Sequence, residues 1–260
     1  MAIELYNDGK HVCLMFNDLV DDSDNAAVQA NQFLIVSDWE GALIDPAGNK
    51  TYNALIMAMH KFFPFKNLKY IFASHQDPDI VASLNKWLAA TECTVYISVL
   101  WERFVPHFCT VSRTEGRILG IPDAGMVIPM RESHIVAVPA HFLHAEGNFQ
   151  FYDTRARILF SGDMGASLVH HEEIVEPITS KGEFVAHLPT MEGFHRRYMV
   201  SNKVCRFWAN MVRGMEIDML VPQHGRWFKG KEAVTAFLDW IQDLRCGIDL
   251  FDQDHYRLPT

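Results

Sequence analysis

The sequence predicts an α/β fold in which two packed β-sheets carry helices on their outer sides. Three observations predict it: short apolar runs in the first sixty residues, alternation of helix and strand patterns from Thr51 onward, and a second strand-rich section that ends in helical periodicity. "HVCLMFND", "NQFLIVSD" and "EGALIDPAG" are strand-length runs punctuated by Asp, Asn and Gly, which predict an antiparallel meander. From Thr51 the spacing predicts helix over "TYNALIMAMHKFF", strand over "LKYIFAS", helix over "DIVASLNKWLAATE", strand over "CTVYIS" and helix over "VLWERFVPHF". "SHIVAVPA", "NFQFYD" and "ARILFSGD" then read as strands. Residues Met191 to Met215 have helical spacing, "MLVPQHG" is a buried strand end, and "KGKEAVTAFLDWIQDLR" is a final amphipathic helix. No linker rich in Pro, Gly or Ser separates the halves, so residues 1–260 are expected to form a single domain.

A chain of 260 residues with 49% hydrophobic content can fill a sizeable core. Its formal charge of −9 and pI near 5.8 offer no long-range attraction to nucleic acid or anionic lipid. The cysteines Cys13, Cys93, Cys109, Cys205 and Cys246 are odd in number and contain no CxxC pair, so neither a disulfide framework nor a cysteine zinc site is expected. Free thiols suit a reducing compartment. The N-terminus lacks a basic start followed by an apolar segment, and no long uncharged apolar stretch appears later. A soluble cytoplasmic protein without membrane insertion is the expectation.

Four segments run from an apolar strand into a turn carrying His or Asp: "YIFASHQDPDI", "FLHAEGNF", "ILFSGDMGAS" and "MLVPQHG". Strand ends on one sheet edge converge in space, which is where layered α/β folds build binding sites. In an extended chain positions i, i+2 and i+4 point the same way, so His75, Asp77 and Asp79 are expected to face one pocket, with Pro78 stiffening the turn. Two carboxylates and an imidazole crowded together penalise one another, and a bound cation removes that penalty. Asp79 also qualifies as the N-cap of a helix beginning near Ile80. The segment by itself does not separate the two roles.

Taken together, these residues resemble the metallo-β-lactamase fold and, within it, the diiron domain of the flavodiiron proteins. That family carries a His-x-Glu-x-Asp-His pattern after a strand, then a single His, a bridging Asp and a last His at later strand ends. This chain offers His75-x-Asp77-x-Asp79-Ile80, His144, Asp163 and His224, over nearly its whole length. The resemblance implies an αββα four-layer sandwich holding two non-heme irons, with an oxo, hydroxo or peroxo bridge between them. One iron would be held by His75, Asp77 and His144, the other by Asp79 and His224, and Asp163 would bridge them. His144 is preferred to His141 because it aligns with the family's Leu-His before an aromatic strand. Zinc hydrolases of this fold usually carry His where Asp77 stands, and a carboxylate there makes a harder, more anionic donor set that favours iron or manganese.

Two departures from the family bear on function. The reductases continue into a flavodoxin-like domain that binds FMN, whereas this sequence shows no separate phosphate-binding loop, so neither a flavodoxin domain nor bound FMN is expected. The family's closing His is Ile80 here, which is expected to leave an open coordination position beside an apolar wall in the ligand pocket. Both features resemble the stand-alone oxygen-binding diiron proteins of anaerobic bacteria. That resemblance implies reversible binding of dioxygen, with NO as a related ligand, in an oxygen sensor rather than an enzyme. Its partner would be a chemotaxis receptor or kinase. The alternatives are an O₂ or NO reductase fed by a separate electron-donor protein and a zinc-dependent hydrolase; no catalytic residue is assigned. Tyr198 falls near a tyrosine that the reductases place close to iron, and it equally fits packing beside Phe194 and Met199. The family's common homodimer is an expected assembly that no residue of the sequence specifies.

Overall fold

The computed structural model describes residues 2–17, 19, 28–110 and 114–259, apart from the side chains of 171 and 172. Its first sheet has seven strands in sequence order: β1 (Ala2–Asn7), β2 (His11–Phe16), β3 (Gln32–Ser37), β4 (Glu40–Ile44), β5 (Leu68–Phe72), β6 (Thr94–Ser98) and β7 (Ile118–Ile121). β1 to β4 form the antiparallel meander, and β4 to β7 are parallel. The second sheet comprises β8 (Met126–Met130), β9 (Ser133–Pro139), β10 (Phe149–Asp153), β11 (Ile158–Phe160), β12 (Met219–Val221) and β13 (Phe228–Lys229) in the order β13-β12-β11-β10-β9-β8. Within it only β11 and β12 run parallel.

Alternation along the strands assigns the layers. Phe33 and Ile35 of β3, Phe149 and Phe151 of β10, and Ile158 and Phe160 of β11 enter the core between the sheets. Leu34 faces the other way, into a layer with Leu55, Ile80, Leu84 and Trp87, which belong to helices α1 (Tyr52–Met59), α2 (Pro78–Val81) and α3 (Leu84–Ala90). Leu159 and Leu220 face a third layer with Met191, Trp208 and Phe237, from α4 (Lys181–Tyr198), α5 (Asn202–Val212) and α6 (Lys231–Asp243). The result is the expected helix–sheet–sheet–helix sandwich. Each large side chain removed from water in these layers contributes about 1.5–3 kcal/mol of burial free energy.

Three departures from the sequence pattern have local causes. "VLWERFVPHF" forms turns and one 3₁₀ turn at Val105–Phe108 rather than a helix, because Pro106 supplies no N–H to a helical ladder. The helix expected over "DIVASLNKWLAATE" divides into α2 and α3. Ser83 turns its hydroxyl to the carbonyls of Pro46 and Ala47 at the break. The helix preceding "SNK" begins at Lys181, ten residues before the visible periodicity, and it tolerates Pro189 inside it. Strands β7 and β8 were not separable from their turn-rich surroundings by alternation. Among the described residues no helix is long and apolar enough to cross a membrane.

The sheets are tied at one end by a buried polar cluster. His11 of β2 meets Asp153 of β10 at 2.6 Å, and Cys13 donates to the same carboxylate oxygen at 3.4 Å.

Candidate metal centre

The second polar cluster lies at the other end of β10, where the amide of Phe149 donates to the carbonyl of Ser74. Four loops meet there, following β5, β9, β11 and β12, and they deliver His75, Asp77 and Asp79, then His144, Asp163 and His224. The parallel pairing of β11 and β12 sets two of them. Phe160 is in register with Val221, so Asp163 and His224 each lie three residues beyond paired positions.

Asp163 stands at the centre. Its Oδ2 lies 2.8 Å from His144 Nε2 and 3.6 Å from His75 Nε2, while its Oδ1 lies 3.6 Å from His224 Nε2. Asp77 Oδ2 is 3.6 Å from His75 Nε2 and 3.5 Å from His144 Nε2, and Asp79 Oδ2 is 3.3 Å from His224 Nε2. The other five side chains therefore separate into two groups, each facing a different oxygen of Asp163. Ligand atoms of His75, Asp77 and His144 all lie within 4.8 Å of one another.

Hydrogen bonds behind the imidazoles fix which nitrogen faces inward. His75 Nδ1 donates to Ser74 Oγ at 3.0 Å, and Ser74 Oγ donates to Asp45 Oδ2 at 3.1 Å, with Asp45 Oδ1 held by the Ser74 amide at 2.8 Å. His224 Nδ1 donates to the carbonyl of Gln29 at 2.7 Å. Both rings thus turn an Nε2 lone pair toward the centre, as metal-binding histidines require. Gln223 Nε2 donates to Asp79 Oδ2 at 3.2 Å, and Asn31 Nδ2 grips the carbonyls of Pro222 and Gly225 at 2.9 and 3.0 Å. Gly225, at φ +78°, lets this loop pass so close to Ser167 that a Cβ would fall 1.9 Å from its hydroxyl oxygen.

Charge is concentrated here among groups that are largely buried. Burial opposes ionisation of Asp163, yet the imidazoles of His75, His144 and His224 hold its carboxyl well below the usual carboxylate range. Burial likewise opposes charge on His75 and His224, but Asp163 and Asp77 raise His75 to about 8, and Asp79 and Asp163 raise His224 to about 9. Burial lifts Asp45 to about 6. Asp163 Oδ1 is buried and accepts no hydrogen bond, an expensive state for a carboxylate oxygen. Three Nε2 donors, three carboxylates and one orphaned oxygen fit a pair of cations, with Asp163 between them.

A cavity of about 880 Å³ opens onto this cluster and is lined by Asp77, Asp79, His144, Asp163 and His224 on one side. Phe194 and Tyr198 face them: the Tyr198 ring stacks on Phe194 at 4.7 Å and lies 5.7 Å from the His144 ring, with over half of Tyr198 exposed. Ile80 corrects the expectation of an apolar pocket wall. Its side chain is fully buried in the layer under the first sheet, among Leu34, Leu84 and Trp87, and does not line the cavity. The reason is local: extended backbone ends at Asp77, the N-cap of α2, and from Pro78 onward side chains rotate in helical steps. Asp77, not Asp79, holds the N-cap position. His141 is bonded to the carbonyl of Asp123 and stands outside the two groups. Sequence reasoning missed Asp45, Ser74, Asn31 and Gln223. Asp45 alone left a signal, as another acidic residue at a strand end.

Comparison with known proteins places this geometry. Residues 28–225 match a family model described as ODP family beta lactamase. A solved structure described as the peroxy diiron species of the chemotaxis sensor ODP is 38% identical, covers 98% of this chain and 99% of its own, and superposes with a TM-score of 0.83. The apo state of chemotaxis sensor ODP from T. denticola is 36% identical over 99% of both chains, with a TM-score of 0.82. A variant of the flavo-diiron protein from Thermotoga maritima shares the fold, with a TM-score of 0.76 at 18% identity, over 93% of this chain and 60% of that one. A curated protein of Methanocaldococcus jannaschii is 24% identical over 215 residues, which are 82% of this chain. The chain spans about half the length of that relative, 53%.

Proposed function

We propose, starting from the fact that this chain belongs to the ODP family beta lactamases, that it is a non-heme diiron protein that binds dioxygen reversibly and acts as an oxygen sensor. The observation that carries the reading is the division of Asp163 between two donor groups: Oδ2 toward His75, Asp77 and His144, and Oδ1 toward His224 and Asp79. In this reading His75, Asp77 and His144 would hold one iron and Asp79 and His224 the other, with Asp163 shared between them. Two irons held there would supply redox-active chemistry toward a small diatomic ligand.

The chain's own residues account for the rest. Ser74 and the Gln29 carbonyl keep protons on the Nδ1 atoms of His75 and His224, so that both Nε2 atoms stay available. Gln223 holds the Asp79 carboxylate by one oxygen. Val28, Leu168 and Phe194 give the cavity an apolar side, and Tyr198 lines it beside His144. The second group contributes one imidazole against two in the first, so an ion on the Asp79 and His224 side would have fewer protein donors. Sensing rather than turnover is supported by the 36–38% identity to a protein described as a chemotaxis sensor. By the same likeness, a chemotaxis signalling protein is the proposed partner, and the five free cysteines suit a cytoplasmic location.

The test exposes reduced, iron-loaded protein to air. A visible absorption band that forms and persists, with oxygen uptake stopping once the sites are filled, is expected. Continued oxygen or NO consumption with a reducing partner protein would establish a reductase instead. A preparation that retains zinc alone in the presence of iron, and cleaves model esters, would overturn the diiron reading.

A further inference from the structure

Away from the metal centre, the chain brings together two cysteines that are 41 residues apart. Cys205 on α5 and Cys246, just beyond α6, face each other with their sulfurs 3.8 Å apart, and both are fully buried. Buried cysteines often serve only as small apolar groups, and Cys13 and Cys93 have other partners, Asp153 and Arg117. This pair differs in its setting. The two sulfurs share one S–H···S contact, which lowers the Cys246 thiol and raises that of Cys205.

Cys246 lies at the edge of the core layer that α5 and α6 share, and the chain beyond it reaches the surface within a few residues. It precedes the 3₁₀ turn Gly247–Leu250, and residues 251–259 beyond it are all exposed. The segment is held by Asp249 Oδ2, which accepts from the amides of Asn202 and Cys246, by the Ile248 amide, which donates to the Val200 carbonyl at 2.9 Å, by Arg245, which donates to the Asp249 carbonyl, and by Arg197, which lies over the Phe251 ring. Such segments open at much lower free energy than strands of the sandwich. Gly247 packs so tightly on Met199 and Val200 that a Cβ would clash with their carbonyls. Those residues directly follow Tyr198, which lines the metal cavity.

We propose that Cys205 and Cys246 are a modification site that closes to a reversible intramolecular disulfide on exposure to hydrogen peroxide. The Cys246 sulfur attacks one peroxide oxygen, the O–O bond breaks, and the departing hydroxide takes the thiol proton, leaving a sulfenic acid and one water. The Cys205 sulfur then attacks the Cys246 sulfur, and the S–O bond breaks to release a second water. Two thiols are oxidised by two electrons in total, and one peroxide is reduced. Closing the contact to a bond of about 2.05 Å needs an approach of about 1.8 Å, within the reach of side-chain rotation and a small shift of the 3₁₀ turn.

The experiment treats the folded chain with hydrogen peroxide, in iron-loaded and chelator-stripped forms, then unfolds it in N-ethylmaleimide and digests it with trypsin without reductant. Residues 204–206 and 246–257 should emerge joined, two hydrogens lighter than the separate peptides, and be released by dithiothreitol. Alkylatable thiols should fall from five to three. In a Cys205→Ser chain, dimedone should trap Cys246 as its sulfenic acid. Separate alkylated peptides, or joining only after the chain is unfolded, would overturn the proposal. So would joining confined to the iron-loaded form, because radical chemistry at the metal would then account for it.

Discussion

Strand β10 has a cluster of buried histidine and aspartate at each end, and by donor spacing alone both His11, Cys13, Asp153 and His75, Asp77, His144 could hold an ion. Their bonding separates them. Asp153 is saturated: Oδ1 accepts from Ser133 Oγ and the amides of Arg155 and Ala156, and Oδ2 accepts from His11 and Cys13. All three of its residues are sealed from solvent, and the single unpartnered atom, His11 Nδ1, lies on the other edge of the ring. At the opposite end the carboxylates of Asp77 and Asp79 are 37% and 40% exposed toward a cavity, and Asp163 keeps an oxygen with no hydrogen bond. A cluster that satisfies itself ties the sheets together. One that leaves acceptors empty beside an opening is built to take something in.

The largest effect that would sharpen this contrast is on Asp163. Asp163→Asn removes the charge shared by both groups and should weaken iron binding by more than the roughly 100-fold that losing a ligand's supporting partner costs. Iron per folded chain after anaerobic loading measures it, and an unchanged content would break the bridging assignment. Asp153→Ala should do the reverse. Stripping His11 of its partner should cost about 3–5 kcal/mol in urea unfolding, with iron per folded chain unchanged. A loss of iron at full stability would show that the sealed cluster is more than a tie.

Next in size is a pH effect on the metal-free chain. His75 and His224 are raised from 6.5 to about 8 and about 9, so their contribution to stability is complete below pH 6.5 and is lost as pH rises toward 9. Metal-free protein should lose a few kcal/mol over that window, judged by denaturant midpoints, and iron-loaded protein much less. Equal loss in both forms would contradict it. The smallest effect is expected of Ser74→Ala, which leaves every ligand in place but frees the His75 ring. About tenfold weaker binding in one of the two iron-binding steps is expected from an anaerobic titration. Equal weakening of both steps would place Ser74's role outside His75.

How much of this was readable beforehand follows from the range of the forces involved. The ligand-type residues stand out because each ends an apolar run, and that is a local pattern. His75 and Asp77 obey strand alternation because the chain is still extended there. Ile80 was assigned to the pocket by its alignment with the family's closing His, but a helix begins at Pro78, and its turn carries the Ile80 side chain under the sheet. Gln223 and Asn31 left no local signal, and Asp45 only that of an acidic residue at a strand end. Asp45 reaches Ser74 across 29 positions and Asn31 reaches Pro222 across 191, distances that only the folded sheets bridge. The division of the helix at Ser83 was hidden for the same reason, since its hydroxyl bonds to Pro46 and Ala47 in the loop before α1.

The matched offsets of Asp163 and His224 beyond β11 and β12 have one more consequence. Neighbouring strands lie about 4.8 Å apart whatever side chains they carry, so the sheet acts as a ruler for the two loops that join the donor groups. Redesign of this centre for another cation therefore has side-chain length and donor type to work with, but not the pitch of the backbone. Lengthening either loop by one residue should disrupt the pairing of donors more than exchanging one donor for another.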